Sequence, residues 1–365
     1  MRAAVLKAFD TPLVVEQRPD LEMRPGTGEV IVDVVATRIL NYMAEVLSGG
    51  RGYLIETPIV PGAGAVGRVR AVGSDATRLA PGDWVICDAT VRSRDDAINP
   101  DITLQGLSAR GEGGLKLQRY FHDGSWAEQM KLPTENAIAI GDIDPAQAGA
   151  WCAIGSYLVP YGGFLAARLE PGETVLVSGA TGNFGSSAVA VALAMGAGRV
   201  IATGRNRVRL DQLRARFGNR VAVVATTGEE VQDRENMKRA ATEPIDCVFD
   251  ILPPMASSLQ ARAAIMAVRP YGRVVLMGGV NMQGGPELEL SYAWIMRNCI
   301  TIHGVWMYPP SAPAAVVKMI RAGMLPLGGY EVARFGLDRI NEAIAHAAEH
   351  AGPLQRTELW PGLQQ

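Results

Sequence analysis

Three glycines at a fixed spacing are the first residues here whose types could do chemistry. Gly179, Gly182 and Gly185 lie in "ETVLVSGATGNFGSSAVAVALAMGAG". An apolar run, Val175–Ser178, enters the motif, and a run of small residues, Ser186–Met195, leaves it. Strand, glycine turn and helix in that order suit a pyrophosphate. Glycine lets the chain turn sharply and lets backbone approach the ligand, and the helix start offers N–H groups and a positive dipole end. The candidate dinucleotide contacts are Gly179, Thr181, Gly182, Asn183, Phe184 and Gly185; a plain tight turn is the alternative. The next apolar run, "RVIATG", leads into "RNRVRL", with no acidic residue before Asp211. An acid there would take the ribose hydroxyls of NAD, whereas a guanidinium suits a 2′-phosphate. The reading is therefore NADP(H), with Arg205 as first phosphate contact and Arg207 or Arg209 as second. A solvated basic helix start is the plainer account.

Other reactive residues stand alone. Cys87, Cys152, Cys247 and Cys299 are scattered and form no Cys-x-x-Cys pair, which argues against a disulfide scaffold or a cysteine-rich zinc knuckle. His346 and His350 have metal-ligand spacing on a tail helix, "LDRINEAIAHAAEH", but no third ligand is within reach in sequence, so a solvated face is expected. The net charge is -2, which gives no field for nucleic acid or a membrane surface. No apolar run is long enough to span a bilayer, and "MRAAVLKAFDTPLVVEQ" is not a signal peptide. The expectation is a cytoplasmic enzyme with a small-molecule substrate.

The elements that must position these residues divide in two. With 365 residues, two domains are the natural prior. The first part reads as β-rich: "MRAAVLKAF", "EVIVDVVATRI", "AVGRVRAVG" and "DWVICDAT" are short apolar runs bounded by Gly, Pro-Gly or Asp. Val91 to Asp123 is polar, Gly-rich and aperiodic, and reads as a long loop or lobe. From about Trp151, apolar runs alternate with helical stretches through "NRVAVVATT", "IDCVFDIL", "GRVVLMGG" and "ITIHGVW". This predicts a doubly wound parallel α/β sheet. The tail helix precedes "GPLQRTELW", which could be a closing strand.

The landmarks "GEVIVDVVA", "PIVPGAGAVGRV", "APGDWV", "GSWAEQMKLP", "LEPGETVLVSGATGNFG" and "GRVVLMGG", in this order and spacing, resemble the medium-chain dehydrogenase/reductase family over essentially the whole chain. The resemblance implies a GroES-like β-barrel domain (1–155), a Rossmann NADP-binding domain (156–295) and a return to the first domain (296–365), with the active cleft between them. It implies that Gly278, Gly279 and Val280 pass close to the nicotinamide. The end of the strand holding His303 would lie there too. It also implies a homodimer, with Ser291–Tyr308 at the seam and cleft wall.

Zinc-containing members of that family hold their catalytic metal through Cys, His and Cys. The matching places are Leu40, Ala63 (with Gly64 at a neighbouring acidic place) and Ser156. Leu and Ala offer no lone pair, and a neutral serine is a poor zinc ligand. Only Cys87 lies near the structural-zinc lobe, so no metal is expected. Without a Lewis acid, hydride donation needs a substrate that already delocalises charge: an enone, enal, enoyl thioester or quinone. By resemblance, Asn41 positions the nicotinamide ribose or substrate oxygen, Tyr42 stands where zinc members carry a proton relay, and Tyr53 matches the proton donor of enoyl reductases. A zinc-free carbonyl reductase or alcohol dehydrogenase, and an NADPH-binding sensor with little turnover, are the alternatives.

Overall fold

The computed structural model describes residues 1–22 and 28–363. Its strands are β1 (Arg2–Val5), β2 (Val14–Gln17), β3 (Glu29–Ile39), β4 (Ala65–Val72), β5 (Trp84–Cys87), β6 (Thr90–Arg92), β7 (Ile102–Leu104), β8 (Ser108–Ala109), β9 (Gln129–Pro133), β10 (Ala137–Ala139), β11 (Thr174–Ser178), β12 (Arg199–Gly204), β13 (Val221–Ala225), β14 (Cys247–Asp250), β15 (Arg273–Leu276), β16 (Thr301–Gly304), β17 (Glu331–Gly336) and β18 (Gln355–Trp360). The helices are α1 (Met43–Leu47), α2 (Gly111–Tyr120), α3 (Ala148–Trp151), α4 (Ile154–Ala166), α5 (Asn183–Ala194), α6 (Arg207–Phe217), α7 (Glu230–Ala240), α8 (Ser258–Ile265), α9 (Tyr292–Arg297), α10 (Ala312–Arg321) and α11 (Ile340–Glu349). None is long and apolar enough to cross a membrane.

The chain divides into two compact units. One holds Met1–Gly155, Leu327–Ala351 and Gln355–Gln365; the other holds Ser156–Pro326 and Gly352–Leu354. The expected return to the first domain at 296 is thus corrected to 327. The physical reason is pairing: β16 hydrogen-bonds in register with β15, Val275 opposite His303, and so completes the second unit's sheet.

In the first unit a seven-stranded sheet runs β10-β5-β4-β3-β18-β17, with β9 also paired to β3. The long strand β3 anchors it. Val30, Val32 and Val34 point to one face and join Val69, Val85, Met130 and Leu132 in the core, as a two-residue repeat requires. The tail returns through β18, antiparallel to β3 and parallel to β17. Glu358, fully buried on β18, is held by Arg334, Arg356 and the Trp360 indole. Burying that carboxylate is tolerable because three donors meet it.

Of the two readings of Val91–Asp123, a long loop or a lobe, the structure has the lobe. It holds the three-stranded sheet β6-β7-β8 and the helix α2. Two of that helix's glycines explain why its helical signal was missed. A Cβ on Gly113 would collide with the Asp101 carboxylate, and one on Gly114 would stand 2.4 Å from the Ile102 carbonyl oxygen. These glycines weaken the helical signal, yet they let the helix lie backbone to backbone on β7.

The second unit is a six-stranded parallel sheet ordered β13-β12-β11-β14-β15-β16, the doubly wound order of a Rossmann domain. Its strands are near-continuous apolar runs because helices cover both faces. Leu176, Ile201, Val248, Val274 and Ile265 make one buried cluster. The strand order reverses at β11 and β14, and ligands of such sheets bind at the carboxyl end of that switch.

Candidate active site

At the carboxyl end of β11 each glycine of the turn has its own steric reason. Gly179 has φ +84°, a left-handed conformation, and its missing Cβ would stand 3.1 Å from the Ile251 carbonyl oxygen. A Cβ on Gly185 would lie 2.0 Å from the Gly179 carbonyl oxygen, so only glycine lets the helix start pack against the strand end. Gly182 differs: it is the extended N-cap residue of α5, and a Cβ there would meet only the Gly179 oxygen, at 3.7 Å. No side chain caps this helix, where a Ser, Asp or Asn would be the usual cap. An open glycine before an uncapped helix start fits a pyrophosphate.

Thr181 and Phe184 flank this opening, each half-buried. Thr181 packs over Gly204 at the end of β12, where an added Cβ would come within 2.5 Å of its methyl group. Next in sequence is Arg205, exposed, and then Asn206, whose side chain caps α6 through the Arg209 amide. Arg207 is exposed and turns its Nε to Asp211 at 3.1 Å.

Gly278 and Gly279 follow β15, with Val280 beyond them, half-buried. A Cβ on Gly278 would come within 2.8 Å of Asp250 Oδ2 and 2.7 Å of the Leu252 carbonyl oxygen. Asp250, at the end of β14, is one residue the sequence reading missed. It is 3% exposed, and its Oδ1 has no hydrogen-bond partner. Burial pushes its carboxyl up to about 6; the Ser178 hydroxyl and the Leu252 amide pull the other way. In the sequence "CVFDIL" nothing marks this aspartate as buried.

In the first unit β3 ends at Ile39 and the chain turns through Leu40 and Asn41 into α1. Leu40 is buried and Asn41 is half-buried. Tyr42 is the N-cap residue of that helix. The Arg51 guanidinium covers the Tyr42 ring, 4.1 Å from its centroid, and stands 6.0 Å from that of Tyr53. Glu45 fixes Arg51 through Nε at 3.0 Å. The structure thus gathers both candidate phenols around a cation that sequence reading passed over, because "SGGRG" looks like an ordinary surface turn. Burial first, then the neighbouring Tyr53, pushes the Tyr42 phenol well above its usual range; Arg38 and Arg51 oppose this.

The lobe holds the Tyr53 segment from the other side. Leu54 bridges Ala109 of β8, whose amide donates to the Leu54 carbonyl at 2.9 Å. The Glu56 amide donates to the buried Gln118 side chain at 2.9 Å, and Arg119 grips the Glu56 carboxylate with two nitrogens.

The places that the family resemblance equated with metal ligands are accounted for locally. Ala63 and Gly64 are half-buried. Gly64 has φ +79°, a Cβ there would meet the Cys87 carbonyl oxygen at 2.9 Å, and its own carbonyl accepts from the Thr37 hydroxyl at 2.8 Å. Ser156 donates to the Asn183 side-chain oxygen at 2.7 Å. The nearby Cys152 thiol faces the Ala36 and Ala148 carbonyls, and burial, then Glu358, pushes it up to about 12. Among the described residues no group of three or more His, Cys, Asp or Glu is placed to hold a metal ion.

The tail histidines depart from the expected solvated face. Their rings stack at 3.9 Å and 7°, His346 bonds Thr357, and both are partly buried. His303 is half-buried on β16, an edge strand.

Comparison with known proteins agrees with this architecture. Residues 26–142 match the alcohol dehydrogenase GroES-like domain, and residues 184–322 match the zinc-binding dehydrogenase family. An L-threonine 3-dehydrogenase of Deinococcus radiodurans is 30% identical over 259 residues, covering 69% of this chain and 67% of that protein. An acryloyl-coenzyme A reductase of Metallosphaera sedula is 28% identical over 309 residues, 83% and 84% of the two chains. The alcohol dehydrogenase TADH from Thermus sp. ATN1 shares the fold, with a TM-score of 0.80 at 22% identity over 99% of both chains. The chain is therefore an oxidoreductase of the medium-chain dehydrogenase/reductase family, whose dehydrogenases bind a nicotinamide cofactor.

Proposed function

We propose that this enzyme is a zinc-independent, NADPH-dependent reductase of an activated C=C bond, in an enone, enal or enoyl thioester, or of a quinone. The observation that carries the reading is the cluster of Tyr42, Arg51 and Tyr53, in a chain whose metal-ligand places hold Leu40, Ala63 and Ser156. Leucine and alanine have no lone pair, Ser156 is engaged with Asn183, and zinc does not fit this donor set. The glycine turn and the uncapped start of α5 would hold the pyrophosphate, and Arg205 the 2′-phosphate. Gly278, Gly279 and Val280 are the backbone beside the nicotinamide.

When bound, reduced nicotinamide supplies a hydride to the electron-poor carbon. Asn41 orients the nicotinamide ribose or the substrate oxygen. Tyr53 donates the proton that completes the saturated product, or that neutralises the phenolate from a quinone, and regains one from solvent. Tyr42, with its raised phenol, keeps its proton and serves as a hydrogen-bond donor. The acryloyl-coenzyme A reductase among its relatives supports C=C reduction.

The relative named as a dehydrogenase favours a second reading, zinc-free carbonyl reduction. The test is loss of NADPH absorbance against enones, enoyl thioesters, quinones and ketones. Turnover of ketones alone would replace the first reading by the second, and cofactor binding without turnover of any would leave a sensor. Tyr53→Phe should lower kcat by about 100-fold while the NADPH Kd stays constant, in the range for losing a general acid; near-normal turnover would remove Tyr53 from the role. We also propose that the enzyme is a cytoplasmic homodimer; the edge strand β16 and the exposed Tyr292 and Met296, which precede it in sequence, are compatible with pairing to a second copy.

A further inference from the structure

Ser156 stands where the resemblance places a metal-binding cysteine, and it is 5% exposed. Its hydroxyl donates to Asn183 Oδ1 at 2.7 Å. Asn183 is the first residue of α5, directly after the open glycine Gly182. Its backbone carbonyl accepts from two further hydroxyls, Ser186 Oγ at 3.0 Å and Ser187 Oγ at 2.9 Å. Side chain and main chain of this asparagine are thus both held by serines.

A carboxamide has two chemically opposite ends. When a hydroxyl takes the oxygen end, the NH2 end is the one left to face outward. In front of this helix, an NH2 adds two donors to an already positive opening, whereas an outward oxygen would repel an anion. Ser156 therefore selects the end that suits a phosphate. Alanine at 156 would leave the carboxamide free to swing or flip.

We propose that Ser156 is a positioning residue for the dinucleotide: it holds the Asn183 carboxamide so that its NH2 donates to the pyrophosphate in front of α5. The inference rests on the cofactor reading above. It gives the serine at the third metal place a positive task, binding and aligning the cofactor. Pyrophosphate is common to NADPH and NADH, so the contact serves both alike.

A double-mutant cycle on cofactor affinity tests this without a known substrate. Kd for NADPH and for NADH is measured by fluorescence titration, together with the melting midpoint of the cofactor-free protein. Ser156→Ala should weaken both cofactors by the same factor, about three- to tenfold, the size of one hydrogen bond to a charged group. Asn183→Ala should weaken them at least as much. In the double variant the loss should equal that of Asn183→Ala alone, because Ser156 acts through Asn183. An unchanged Kd in Ser156→Ala would overturn the proposal. So would a Ser156→Ala loss that persists in the Asn183→Ala background, which would place the serine's action elsewhere. Arg205→Ala is the control, since it should weaken NADPH alone. A wild-type protein that binds neither cofactor would end the underlying cofactor reading, a result distinct from failure of the cycle.

Discussion

In the proposed enzyme the glycine turn of the second unit and the Tyr42–Tyr53 loop of the first would both place polar groups around a ligand, and they are built by opposite means. The turn is built from backbone. Gly179, Gly182 and Gly185 matter for what they lack: contacts with Ile251 and with the Gly179 oxygen exclude a side chain at the first and the last, and Gly182 leaves the space before α5 open. The loop is built from side chains. Tyr42, Arg51, Glu45 and Glu56 matter for what they carry, and partners distant in sequence, such as Gln118 and Arg119, hold them. A backbone device tolerates almost no substitution and is easy to recognise. A side-chain device drifts freely in sequence and shows itself only when folded.

The sharpest way to break the comparison lies within the turn. Gly185→Ala places a methyl 2.0 Å from the Gly179 oxygen and should cost more than about 4 kcal/mol, the range of severe core strain. Thermal unfolding would show a large fall in the midpoint, with cofactor binding lost. Gly182→Ala should leave the midpoint nearly unchanged, because its Cβ meets nothing closer than 3.7 Å, yet weaken NADPH binding tenfold or more by crowding the phosphates. Equal losses of stability in the two variants would contradict the division of labour between these glycines.

Asp250 gives the next effect. Its folded-state value of about 6 lies above its ordinary 3.8, so folding favours the protonated form. That contribution is complete below about pH 4 and disappears as pH rises through 6. Above pH 6 the buried carboxylate should therefore destabilise the protein by up to about 3 kcal/mol. Asp250→Asn should melt higher than wild type at pH 7.5, with the gap closing toward pH 4. A gap independent of pH would show that the carboxyl does not titrate in this way.

The smallest effect belongs to the lobe. Arg119→Ala removes an exposed ion pair, so stability should fall by only about 0.2–1 kcal/mol. If the lobe steadies Tyr53, kcat should fall several-fold more than that loss of stability explains, with NADPH affinity unchanged. Unaltered turnover would separate the lobe from the reaction.

Much of this was legible in the sequence, for reasons that differ by region. The parallel sheet announces itself because β11, β12, β14 and β15 are buried on both faces and read as unbroken apolar runs. The tail strand β18 was visible as a closing strand, but its neighbours were not, since nothing local says that Glu358 meets Arg38 across to β3. The lobe was illegible because strands of two or three residues have no measurable period. The boundary near 296 failed although "ITIHGVW" read as a strand of the parallel sheet, because α10, which follows it within the second unit, carries no local signal of the domain it joins. Arg51 and Asp250 take their roles from neighbours in space, the ring of Tyr42 and the strand ends around Gly278.

The return of β17 and β18 to the first unit also dictates an order of assembly. A ribosome delivers the chain from its amino end, and domains fold as units as they emerge. The second unit's sheet is complete once β16 has appeared, and the Tyr157 hydroxyl can then bond the Pro326 carbonyl at the unit's far end. Strand β3, made among the first forty residues, pairs early with β4 and β9, but its end at Thr37–Ile39 must wait for Thr357–Leu359 of β18. Between the appearance of Gly304 and that of Gln355 the nascent protein therefore carries a second unit whose sheet is complete and a first unit whose strand end at Thr37–Ile39 is still unpaired. During that interval the unpaired strand end is open to mispairing, as it is not in the finished protein.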